Sequence, residues 1–326
     1  MNHGNTSDVS ELSLRGFAIQ PEFQALLFPL FLSIYLLTLL GNITIISLIY
    51  SNNQLLQAPM YFFLSYLALA DVGFTTTTVP KALENLLSQE KTISYHGCLI
   101  QMYFYMIFGN ADSFLLSSMA YDRYVAICHP LHYSALMSHK RCLLLAAVSW
   151  AIPIIHSSLY TFLMSRISIC EHSEIPHFFC DIYPVLDISC SDTSIIQLML
   201  MTEGVVEVLG PFVLTVFSYA FIFYAIMKIP SATGKCKAFS TCGSHIVVVM
   251  LFYGTVSWVF FKPHSKTQDR SDTVAAVMYT MVTPMLNPFI YSLRNSEMKA
   301  AVRKVFFLNL PLKISVLHCM IYTFQP

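Results

Sequence analysis

The sequence predicts an all-α membrane protein: a seven-transmembrane helix bundle with a short amphipathic helix after the seventh span. Three observations predict it. Hydrophobic residues make up 56% of the 326 positions and charged residues only 11%, against about 25% charged in soluble domains. Apolar runs recur seven times, each long enough to cross a hydrocarbon core of about 30 Å at about 1.5 Å per residue. Positive charge is unevenly shared between the two sets of connecting segments, as membrane topology requires.

The runs fall at about 26–50, 60–80, 97–121, 143–164, 195–227, 238–261 and 274–293. Between Phe23 and Ala70 there is no Asp, Glu, Lys or Arg, and only the polar stretch 51–57 with Ala58-Pro59 divides the first two spans. Residues 1–25 then form an outer amino-terminal segment, 26–293 the membrane domain and 294–326 an inner tail. An odd number of spans places the two ends on opposite sides. With the amino terminus outside, eleven of the eighteen Lys and Arg residues fall inside, which is the favoured orientation. The glycosylation sequon Asn5-Thr6-Ser7 agrees with it. Residues 1–24 lack the order of a cleaved signal peptide, so the first span is expected to act as its own signal. A multi-pass protein of the plasma membrane is the expected destination.

The net charge is zero and no block of like charge exceeds two residues, so nothing points to nucleic acid. Cys98, Cys170, Cys180 and Cys190 fall at or beyond the outer face, an even set suited to disulfides. Four cysteines leave three connectivities open. The outer loop 165–194 is long enough to serve as a functional lid. In 295–307, Met298, Val302, Val305 and Phe306 alternate with Lys299, Arg303 and Lys304, the pattern of a helix lying on the inner membrane surface.

Ionisable residues inside spans are costly and therefore informative. Asp71 and Asp112 sit near mid-depth with Asn42 and Asn287; such a set either binds a sodium ion, as an allosteric modulator, or only links the helices by hydrogen bonds. Glu203 and Glu207, four residues apart, share one face of the fifth span, where they meet a polar ligand or, more simply, water and the outer loop. His245 is the fifth such group. At the inner end of the third span the pair Asp122-Arg123 combines a rigid guanidinium fork with a carboxylate able to hold it until a partner competes. No HExxH, GxSxG or P-loop is present and no enzyme chemistry is expected. A structural metal at His172, His177, Cys180 and Asp181 is disfavoured by disulfide bonding of Cys180. The seventh span has no lysine for a retinal Schiff base.

Seven motifs run in order along the chain: Gly41-Asn42; PMYFFLSYLALADV at 59–72; MAYDRYVAICHPLHY at 119–133; HFFCD at 177–181; Ser218-Tyr219; KAFSTCGSH at 237–245; and PMLNPFIYSLRN at 284–295. Taken together, they make the chain similar to the olfactory receptor family of rhodopsin-like G-protein-coupled receptors. HFFCD resembles the tetrapod-type branch. The resemblance implies bridges Cys98–Cys180 and Cys170–Cys190. It implies a coupling switch of Asp122, Arg123, Tyr124, Tyr219, His245 and Tyr291, with Arg123 engaging a stimulatory heterotrimeric G protein when the sixth span moves outward, so that cyclic AMP rises.

The same resemblance implies that small volatile odorants bind between the third, fifth, sixth and seventh spans. By position the lining is Met102, Tyr105, Met106, Gly109, Asn110, Val206, Glu207, Gly210, Tyr253, Val256, Ser257, Phe260, Val277 and Thr280, mostly apolar with a few polar groups, as small-molecule sites are. Tyr105 stands where amine receptors carry an aspartate, which favours a weakly polar ligand satisfied by Asn110, Ser257 or Thr280. Two departures stand out. Phe260 replaces the Tyr of many family members, and the apolar tail 308–326, with Cys319, runs past the family's usual end. Rival readings are a transporter or channel, for which the spans show neither repeats nor a continuous polar path, and a receptor for a peptide or amine.

Overall fold

The computed structural model describes residues 11–17, 21–170, 174–261, 270–294 and 298. Strand β1 (Glu11–Leu14) precedes helix α1 (Pro21–Tyr50), short α2 (Asn53–Gln57) and α3 (Pro59–Leu87). Strand β2 (Thr92–Ser94) leads into α4 (Tyr95–Cys128); a 3-10 turn (Pro130–His132) and α5 (Tyr133–Leu136) connect it to α6 (His139–Met164). The next connection carries β3 (Glu174–Ile175) and α7 (Ile182–Asp187). Then come α8 (Ser194–Met227), α9 (Ala232–Phe261), α10 (Arg270–Val277), a π-helical turn (Met278–Val282) and α11 (Thr283–Arg294).

Among the described residues, five helical segments are long and apolar enough to cross a membrane: 24–50, α3, α6, α8 and 273–291. A sixth, within α9, qualifies as two pieces, Ala232–Ser240 and Cys242–Trp258, bent by 46°. Their outward faces are apolar: Leu26, Leu40, Leu144, Leu214, Phe217 and Met250 are all largely exposed, as lipid-facing side chains are. The predicted third span, α4, is not in this set. It packs against α3, α6, α8 and α9, so its polar Asp112, Ser113, Ser117, Ser118 and Asp122 are buried against protein. A helix shielded from lipid need not be uniformly apolar.

Two expectations are corrected. The second helix continues past Pro80 to Leu87: the proline removes one backbone hydrogen bond, to the Thr76 carbonyl, and membrane helices tolerate such an interior proline. The protein is also not wholly helical. At the end of the bundle where α4 begins, β1 pairs antiparallel with β2 and parallel with β3, and the alternation in Glu11–Leu14 buries Leu12 and Leu14 while its two polar residues are exposed. A left-handed turn at Gly16 (φ 67°) and an ion pair of Arg15 with Glu174 at 3.1 Å close this small sheet.

Both disulfides implied by the resemblance are present, Cys98–Cys180 and Cys170–Cys190, with Cα separations of 5.4 and 5.2 Å. The first ties the loop to the start of α4. The Asn5 sequon, the surface helix 295–307 apart from Met298, and the tail 308–326 lie outside the described residues.

Candidate functional site

Beneath the loop, between α4, α6, α8, α9 and the π-helical turn, lies a cavity of about 330 Å³. Its position on α4 follows from helical spacing: Tyr105, Met106, Gly109, Asn110 and Ser113 fall on one face and all line it. Gly109 contributes by size, since a Cβ there would stand 2.6 Å from the Tyr279 hydroxyl. Tyr105 packs on Phe74, Phe179 and Tyr279 with ring centroids 5.1, 4.8 and 6.3 Å away. Tyr105 and Tyr279 line the cavity, and Phe74 and Phe179 pack behind them.

The loop residues Asp181, Ile182 and Tyr183 make the roof. Gln101 fixes it, donating to the Thr77 carbonyl at 2.9 Å and accepting from the Cys180 amide at 2.9 Å. His177 stacks on Phe178 and sits edge-on to Phe179, at 4.7 and 4.3 Å. Burial pushes its imidazole down to about 3, so the lid is uncharged there at neutral pH. Burial, with Asp181 nearby, also raises the Tyr183 phenol.

One polar cluster interrupts the apolar wall. Asn110 donates to Glu207 Oε2 at 2.6 Å, and His156 Nδ1 lies 3.0 Å from the same oxygen. Glu207 is 6% exposed, so it meets neighbouring helices, not water as its spacing with Glu203 suggested. At the floor the Ser113 and Tyr253 hydroxyls are 2.9 Å apart.

Of the residues inferred by position, Tyr105, Met106, Gly109, Asn110, Glu207 and Val256 line the cavity. Met102 is fully buried in the packing beside it. Tyr253 stands just below. Val206 is 68% exposed on the outer face of α8, and Gly210, Val277 and the exposed Ser257 are also outside the lining. Thr280 spends its hydroxyl on its own helix, donating to the Ala276 carbonyl at 2.7 Å. Ser257 and Thr280 therefore do not face a ligand in this cavity; α9 and the π-helical turn present Phe252, Val256 and Tyr279 instead. The side chains of Glu203 and Phe260 lie outside the description.

Sequence reasoning missed His156, Ser113, Asp181, Tyr183, Phe252 and Tyr279, and the α8 residues Leu200, Met201, Gly204, Val208 and Leu209. Two carried a signal. Ser113 continues the Tyr105–Gly109 stripe by one helical turn, and His156 is an ionisable residue inside an apolar run. The roof residues carried none, since only the chain's return over the bundle places them.

At mid-depth Asn287 donates to both Asp71 oxygens, at 3.0 and 2.9 Å. Asn42 donates to the Pro284 carbonyl at 3.2 Å. Asp112 has one buried oxygen without a hydrogen-bond partner, beside a void of about 10 Å³ shared with Asp71 and Asn287. Among the described residues no group of three His, Cys, Asp or Glu side chains is arranged to hold a metal.

The far end of α4 holds the third cluster. Arg123 Nε is 3.8 Å from Asp122 Oδ2, while Tyr133 donates to Asp122 Oδ1 at 2.7 Å. Tyr124 and His129 are hydrogen bonded at 3.0 Å. The Tyr219 hydroxyl meets His245 Nδ1 at 2.6 Å, and His245 Nε2 meets the Leu116 carbonyl at 3.1 Å. Tyr291 is buried, its hydroxyl without a described partner. A mostly apolar cavity and a charged pair thus occupy opposite ends of one helix.

Comparison with known proteins gives a consistent result. A family model described as olfactory receptor matches residues 31–309. Olfactory receptor 1L4 of Homo sapiens is 54% identical over 300 residues, covering 92% of this chain and 96% of that protein. Olfactory receptor 1f45 of Rattus norvegicus is 52% identical over 313 residues, 96% of this chain and all of that protein. Olfactory receptor 1G1 of Gorilla gorilla gorilla is 52% identical over 309 residues, 95% and 98% of the two chains.

Proposed function

The chain belongs to the olfactory receptor family, and from that premise we propose that it is an odorant receptor whose ligand site is the cavity under the loop. It is a receptor and not an enzyme. The observation that carries the site assignment is the pairing of a partly enclosed, mostly apolar cavity with one buried polar cluster, Asn110–Glu207–His156. Small volatile molecules are apolar with one or two polar atoms, and such a cavity matches them. Met106 and Met201 add adaptable surface.

In this reading the bundle has seven spans, with α4 as the third and α10, the π-helical turn and α11 together as the seventh. The protein sits in the plasma membrane with its amino terminus outside and Asn5 glycosylated. Glu207 Oε2 is engaged by Asn110 and His156, leaving Oε1 to accept from a ligand hydroxyl. Ligand contacts that differ between two arrangements of α4, α8 and α9 shift their populations. At the inner end the active arrangement frees Arg123 from Asp122 and parts Tyr219 from His245, so that a stimulatory heterotrimeric G protein docks and cyclic AMP rises. Asp71, Asp112 and Asn287 would hold a sodium ion in the inactive arrangement, the unpaired Asp112 oxygen supplying a ligand.

The test is a cyclic AMP reporter screen over a broad panel of volatiles in cells expressing the chain, with surface expression measured in parallel. Responses to volatiles that disappear in Arg123→Ala support the reading. Silence to every volatile together with a response to a peptide or amine overturns it, and an ion current independent of G protein favours a channel.

A further inference from the structure

The second large concavity lies outside the ligand site. It is a groove of about 390 Å³ between α8 and α9, toward their shared loop, lined almost wholly by apolar side chains. From Phe212 to Ile226 it follows fifteen residues of α8, or about 21 Å at a rise of about 1.5 Å between residues. That is somewhat more than one leaflet of a hydrocarbon core of about 30 Å. Val216, Phe223, Phe239 and Met250 on its rim are 40–70% exposed, so it opens toward lipid and not into the bundle.

Its loop end is cationic. Lys235 stands one helical turn before Phe239 on the groove stripe of α9, whereas Lys228, at the end of α8, turns its ammonium onto the Tyr224 ring, 4.2 Å from the centroid, away from the groove. Among the described residues Lys235 forms no ion pair with an acidic side chain. An apolar channel of one leaflet's depth, ending at an uncompensated ammonium group, complements an anionic phospholipid.

We propose that this groove binds one anionic phospholipid of the leaflet on the side of the α8–α9 loop, its acyl chain between α8 and α9 and its headgroup held by Lys235. The chain would rest on Tyr219 and Cys242, which line the groove, and on Phe239 and Cys242 either side of the α9 bend. It therefore braces α8 against α9 beside the Tyr219–His245 hydrogen bond. The inference rests on the membrane-receptor reading above.

The test uses the full chain in nanodiscs of phosphatidylcholine containing either a phosphatidylserine or a phosphatidylcholine probe with a photoreactive acyl chain, followed by mapping of the labelled peptides. The phosphatidylserine probe is expected to concentrate on the groove faces of α8 and α9. Lys235→Gln should lower that labelling about five-fold, the effect of one membrane-proximal lysine, without changing the phosphatidylcholine pattern. Val216→Trp with Met250→Trp fills the groove and should abolish the focus. Leu144→Trp, on the lipid face of α6, should leave it intact. Equal labelling of all lipid-facing helices, or a Lys235→Gln variant that labels like the parent, overturns the lipid site while leaving the receptor standing. A chain that fails to enter the bilayer overturns the receptor reading and the lipid site with it.

Discussion

Three side chains carry the sharpest expectations. The Asn110 amide and His156 Nδ1 both approach Oε2 of the buried Glu207, and leaving a buried polar group unsatisfied costs about 1–3 kcal/mol. Glu207→Gln and Asn110→Ala should therefore raise the half-maximal concentration of a hydroxyl-bearing odorant about ten- to one-hundred-fold in a cyclic AMP assay. Ser257→Ala, on the outer side of α9, should leave the response within about two-fold, as surface changes generally do. His177 sets a pH dependence. Its folded pKa lies far below the ordinary 6.5, so the unfolded lid takes up a proton that the folded lid refuses. Stability is complete above about pH 6.5 and is lost as pH falls toward 3, with an opening constant that approaches a tenfold rise per pH unit in that window. Protection factors of residues 174–181, with exchange rates divided by the intrinsic base-catalysed rates, measured from pH 7.5 to 5 check the sign; protection that rises with acid would reverse it. At this scale chain position found Asn110 and Glu207, but it could not show that they meet, because 97 residues separate them.

At the scale of elements, the lid and the helix contacts make different demands. Gln101 and the Cys98–Cys180 bridge anchor the roof to α4. Loss of a native disulfide typically costs about 2–5 kcal/mol, so Cys98→Ser should lower the melting temperature and weaken odorant response together. The α1–α11 contact tests packing. A Cβ at Gly41 would lie 2.9 Å from Pro288 Cβ, a ring fixed within its helix and unable to yield. Gly41→Leu should destabilise the protein by about 1–3 kcal/mol, seen as a lower melting temperature in detergent with ligand ranking unchanged. Most helices were legible as apolar runs. The small sheet was not, because strands of four, three and two residues hold together only through partners 80 and more positions away.

For the molecule as a whole, α4 joins the cavity to the charged pair, so Arg123→Ala should abolish the cyclic AMP response while a labelled odorant still binds. Loss of both would indicate a folding defect in place of a coupling role. The sequence by itself determined that this is a helical membrane protein, where its long apolar segments run, and which family it resembles, because hydropathy and local motifs are properties of neighbouring residues. It also implied the pairing of Cys98 with Cys180. Tertiary structure alone decided that α4 is the protein-shielded helix at the bundle centre, and so why the least apolar of the predicted spans is the one that holds the polar machinery. It also decided which lining candidates face inward. A helical stripe gives the relative directions of side chains, but their absolute direction depends on how each helix is rotated against its neighbours. That rotation turns Val206 and Ser257 away from the cavity and brings His156, Phe252 and Tyr279 to its wall.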